Sequence, residues 1–64
     1  MENLKNKVMA HLRDIKIAAR VPQIAQEIGE EARMVQDVLI ELDDADMVIM
    51  SNGWYLASHK GMQA

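Results

Sequence analysis

The chain has 64 residues, with 7 Lys and Arg against 10 Asp and Glu for a formal charge of -3; 50% of residues are hydrophobic, and Cys and Phe are absent. That length allows one small domain held by a packed core, or by a core plus a partner subunit. It excludes disulfide staples and thiolate metal sites and leaves little material to wall off a catalytic pocket, so the expectation is a non-enzyme without a cofactor.

Leu4, Val8, Leu12 and Ile15 recur at helical spacing with Met9 widening the stripe, while Lys5, Lys7, Arg13 and Asp14 fall on the other side. A first helix over about 2–14 follows. Ile15 to Val21 reads as a connector with at most one short strand near 18–20. Pro22 suits the first turn of a helix, Ile24, Ala25 and Ile28 keep the helical spacing, and Gly29 suits a left-handed cap, which predicts a second helix over 22–28. Val35, Val38, Leu39 and Leu42 form a single buried stripe, predicting a third helix over 31–44. Asp43, Asp44 and Asp46 crowd the end where the helix dipole disfavours anions, so the helix stops there, with Asp46 in a left-handed conformation. Asn52-Gly53 between Met47–Met50 and Trp54–Ala57 predicts a two-residue type I′ hairpin. Alternation sends Trp54 and Leu56 to one face and Tyr55 to the other. Trp54 is expected to anchor the hairpin on the first helix, and residues 58–64 to form a polar tail or one frayed turn.

The chain is thus mainly α with a small antiparallel hairpin, a domain over 1–57 and a tail over 58–64. Three helices and a tight hairpin, with only about three residues between the second and third helices, resemble a winged helix-turn-helix. The residues carrying the likeness are Val21 to Gly29, Val35, Leu39 to Val48, Trp54, Leu56 and Gly61. Within that superfamily the pattern is similar to the small FaeA-like regulators of fimbrial operons, through Ile24-Ala25, the Leu39 to Val48 segment and the Trp54-Tyr55-Leu56 to Met62-Gln63-Ala64 ending. The resemblance implies a DNA-binding transcriptional regulator acting beside a larger regulator. Asp46 stands where winged helices usually carry Gly, and the third helix holds few basic residues.

Phosphate neutralisation supplies much of the affinity of a DNA-binding domain, so charge placement tests that expectation. Residues 1–29 carry Lys5, Lys7, Arg13, Lys16 and Arg20 against Glu2, Asp14 and Glu27, whereas residues 30–64 carry only Arg33 and Lys60 against seven acids. Opposite the core stripe, Arg33 and Gln36 have the chemistry to read guanine and adenine edges in the major groove of double-stranded DNA. Arg20 and Lys16 suit backbone phosphates, and Asn52 sits at the tip of the hairpin. Asp37 and Glu41 oppose binding by like charge.

The competing expectation is a protein-interaction module indifferent to DNA. Met34, Ile40 and Tyr55 would then form a patch for a partner protein or a homodimer. His11 and Asp14 lie three apart but lack a third ligand, His59 is isolated, and Asp43, Asp44 and Asp46 lack the later oxygen ligands of a calcium loop, so no metal site is expected. Met9 and Met47 are expected to fill the core. No apolar run approaches the roughly 20 residues of a bilayer span, and Met1 to Lys5 lacks the apolar stretch of a signal peptide. The expected setting is therefore cytoplasmic, without a membrane partner.

Overall fold

The computed structural model describes residues 2–63, with side-chain surroundings from Leu4 onward. Helix α1 spans Glu2–Ile15, strand β1 Ala19–Arg20, α2 Val21–Ile28, α3 Ala32–Asp44, β2 Val48–Ser51, β3 Trp54–Ala57 and α4 His59–Gln63. The protein is mainly helical, with a three-stranded antiparallel sheet in the order β1-β3-β2. Each helical stripe expected from the spacing turns inward: Leu4, Val8, Met9 and Leu12 from α1, Ile24 and Ala25 from α2, and Val35, Val38, Leu39 and Leu42 from α3. Leu12, Ile24, Leu39, Val8 and Val35 are the largest fully buried side chains. Full burial of an aliphatic side chain contributes about 1.5–3 kcal/mol, and these five form the centre of the core. Met47 is half-buried and packs against the core where Met9 is buried, so both methionines fill space left by the missing Phe.

The turns follow local chemistry. Gly29 caps α2 in the left-handed conformation with φ 73, its N–H donating to the Ala25 carbonyl. Asp46 takes φ 62 after α3, and Asn52 and Gly53 take φ 51 and φ 82 between β2 and β3, the positive pair a type I′ turn requires. The pairing of Ser51 with Trp54 closes that two-residue turn. Lys16 also has positive φ, at 57, and ends α1 with its N–H on the Leu12 carbonyl at 3.2 Å. No glycine or asparagine announces that stop.

Two expectations about β3 and the chain end are corrected. Tyr55 is buried at 7% exposure while Trp54 is 41% exposed, so Tyr55, not Trp54, is the aromatic anchor of the hairpin, and Tyr55 leaves the expected interaction patch. The cause is cross-strand register. Ala19 pairs with Tyr55 and Arg20 with Trp54, and a guanidinium that cannot enter the core holds its partner on the outer face. Residues 59–63 form a docked helix instead of a frayed turn. The Ser58 hydroxyl accepts from the Gly61 N–H at 3.0 Å and donates to the Asp46 carbonyl at 2.5 Å, and Arg13 Nε donates to the Gly61 carbonyl at 2.7 Å. Gly61 is buried so tightly that an added Cβ would collide with the Met47 carbonyl oxygen. Together these contacts tie the far end of the chain to α1 and to the start of β2.

Candidate nucleic-acid interface

Arg20 is the last residue of β1 and the N-cap of α2, where its extended backbone turns the chain from sheet into helix. Its guanidinium carbon lies 5.4 Å from the centroid of the Trp54 ring, a cation–π arrangement that holds the long side chain without a carboxylate partner. It also reaches toward the hairpin: Arg20 Nη2 would lie 3.7 Å from a Cβ built on Gly53. Arg20, Val21, Pro22, Gln23, Gln36 and Gly53 line one open depression. Start of α2, first half of α3 and turn of the hairpin therefore meet at a common concave surface with three polar side chains around it.

Arg33 is exposed one turn before Gln36 on α3, and residues three apart share a helix face, so the two expected base-reading side chains lie along one stripe. Asn52 is exposed beside Gly53 at the hairpin turn. Lys16 does not join this group: it borders a separate depression with Leu12, Leu56, Ala57 and Met62. Met34 and Ile40 are about half exposed, but six residues of helix separate them by two-thirds of a turn, so Ile40 lies on the outer face of α3 beside Arg33 and Gln36 while Met34 lies at its margin. With Tyr55 buried, the expected three-residue patch is not assembled.

Electrostatics changes in one respect that the sequence does not show. Lys5 Nζ lies 3.2 Å from Glu41 Oε1, and Lys7 Nζ 2.6 Å from Glu30 Oε2. Glu41 is thereby drawn to the α1 side of α3, while Asp37 stays exposed one turn after Arg33. The same pairs occupy two of the five cations in the basic half of the chain, and Arg13 is held by the Gly61 carbonyl. Among the described residues, Lys16, Arg20 and Arg33 are the cations with no hydrogen-bond or ion-pair partner. Trp54 is the member of the site that sequence reasoning assigned elsewhere; its alternation with Tyr55 was legible, but which of the two faced inward was not.

Among the described residues no three His, Asp or Glu side chains gather to hold a metal ion, and no helix is long and apolar enough to cross a membrane. Compared with protein-family models, curated proteins and solved structures, the chain finds no match.

Proposed function

We propose that the protein is a winged helix-turn-helix that binds double-stranded DNA in transcriptional control, with α2 and α3 as the helix-turn-helix and the β2–β3 hairpin as the wing. The observation that carries this reading is the single concave surface shared by Arg20, Gln23, Gln36 and the hairpin turn, with Arg33 exposed along the same stripe of α3. Arg33 and Gln36 have forked donors and acceptors for base edges in a major groove, and Arg20 offers a guanidinium to a backbone phosphate. The pairing of Glu41 with Lys5 supports the reading by removing one like charge from the face presented to phosphate.

With few free cations, affinity is expected to be modest and to weaken as salt rises, with the shallow slope that few phosphate contacts give. The test is an NMR titration of the full chain with duplex DNA at low and moderate salt. Shifts at Arg33, Gln36, Asn52 and Gly53 that shrink as salt rises are the expected result. Absence of any shift at low salt overturns the proposal. The second reading, a protein-interaction module, is favoured by Ile40, which is 51% exposed on the outer face of α3. In that case Ile40→Asp leaves the fold intact and abolishes capture of the partner, while duplex DNA moves no resonance.

A further inference from the structure

We propose that Trp54 is a positioning residue for DNA recognition: it holds the Arg20 guanidinium beside the depression between α2, α3 and the hairpin while leaving its charge free for a phosphate. The inference rests on the DNA-binding reading above and gives Trp54 no contact with DNA of its own. Arg20 and Trp54 are cross-strand partners of β1 and β3, so their side chains leave the sheet on the same face. Both residues are exposed, yet the guanidinium carbon lies 5.4 Å from the centroid of the indole ring. Arg20 Nη2 extends to within 3.7 Å of the place a Cβ on Gly53 would occupy, at the turn of the hairpin.

The kind of holder decides what the arginine can do next. A carboxylate would fix it firmly but would offset the charge that a phosphate needs and fill part of the donor fork. The face of an indole attracts the cation through the ring quadrupole and accepts none of its N–H groups in conventional hydrogen bonds. Arg20 has no carboxylate partner among the described residues, and Val21, Pro22, Gln23, Gln36 and Gly53, which line the depression with it, include no acid. Lys16 borders a different depression, so Arg20 and Arg33 are the unpaired cations left to this surface. With so few phosphate contacts, the freedom one arginine loses on binding weighs heavily. Immobilising a long free side chain lowers affinity by a factor of about two to ten, and a side chain already laid on Trp54 has lost much of that freedom beforehand.

The experiment is a double-mutant cycle on the full chain, read as Kd for a fluorescently labelled mixed-sequence duplex by anisotropy at low salt. Trp54→Ala should weaken binding about two- to tenfold, and Trp54→Phe, which keeps an aromatic face, should restore most of the loss. In the Arg20→Ala background, Trp54→Ala should have no further effect. Arg20→Ala should flatten the dependence of log Kd on log salt by about one phosphate contact, whereas Trp54→Ala should raise Kd and leave that slope unchanged. A Trp54→Ala loss that persists without Arg20 overturns the positioning role, because the indole then touches DNA itself. Parental affinity in Trp54→Ala overturns it too. A parent chain that leaves the duplex unbound at low salt overturns the DNA reading instead, and the role with it. The arrangement itself is read without DNA, by NMR of the free protein. Arg20 side-chain protons should resonate upfield in the ring current of the indole and return to ordinary positions in Trp54→Ala. Ordinary Arg20 shifts in the unaltered protein overturn the proposal whether or not any variant folds.

Discussion

Ser58→Ala removes one oxygen that serves two backbone groups, one buried and one part-buried. The Ser58 hydroxyl accepts from the Gly61 N–H at 3.0 Å, capping α4, and donates to the Asp46 carbonyl at 2.5 Å, clasping the left-handed turn that leads into β2. A typical intramolecular hydrogen bond contributes about 1 kcal/mol net, and a buried group left unpaired costs about 1–3 kcal/mol. The loss of an N-cap alone costs ~0.5–2 kcal/mol. Together they give an expected destabilisation of about 2–3 kcal/mol. At ~0.05–0.15 kcal/mol per residue a chain of this length has a total stability of roughly 3–10 kcal/mol, so the loss is a large share of it. In a small domain each kcal/mol lowers the melting temperature by about 4–8 °C, so a fall of about 8–24 °C is expected. Urea and thermal unfolding followed by far-ultraviolet circular dichroism measure both quantities. Ser58→Thr, which keeps the oxygen, should lose much less. A Ser58→Ala protein within about 0.5 kcal/mol of the parent would refute the clasp as an energetic feature.

Three further outcomes are expected. Tyr55→Ala should cost about 3 kcal/mol or more in urea unfolding, as large-to-small changes of buried aromatic residues do, whereas Trp54→Ala, at a side chain less covered than Tyr55, should cost clearly less; equal losses would contradict the assignment of faces in β3. Gly61→Ala should lower the melting temperature sharply, because the neighbour its Cβ meets is the backbone carbonyl of Met47, and a neutral result would mean that α4 does not dock as described. Arg33→Ala should weaken duplex binding by about 1–3 kcal/mol, measured by fluorescence anisotropy at low salt; unchanged affinity removes Arg33 from the interface.

The helices and turns were legible because their signals are short in range. The Val35, Val38, Leu39 and Leu42 stripe, Gly29 after α2, Asp46 after α3 and Asn52-Gly53 each state a local preference in φ and ψ or a periodicity that one segment carries by itself. Of the candidate site, Arg33, Gln36, Arg20 and Asn52 were readable from residue chemistry and helix phase. Lys16 was misgrouped with Arg20 because the chain reverses between them through a left-handed Lys16 that nothing in the sequence marks. The frayed tail was expected because His59 to Gln63 is too short for a helical period to declare itself. Its docking comes from Ser58, Arg13 and the tight fit of Gly61 under Met47, contacts that reach across 12 and 48 residues of chain in the first two cases.

The amino-acid order by itself determined that α1, α2 and α3 form, which stripe of each of these three faces inward, where α2 and α3 stop and where the hairpin turns. Tertiary structure alone decided that Tyr55 goes inward and Trp54 outward, that Glu41 is taken up by Lys5, and that β2 is left as an open edge. Backbone preference is set by a residue and its near neighbours, so it can be read along the chain. The face a strand presents and the partner a charge finds depend on segments that meet only when the chain has closed on its core.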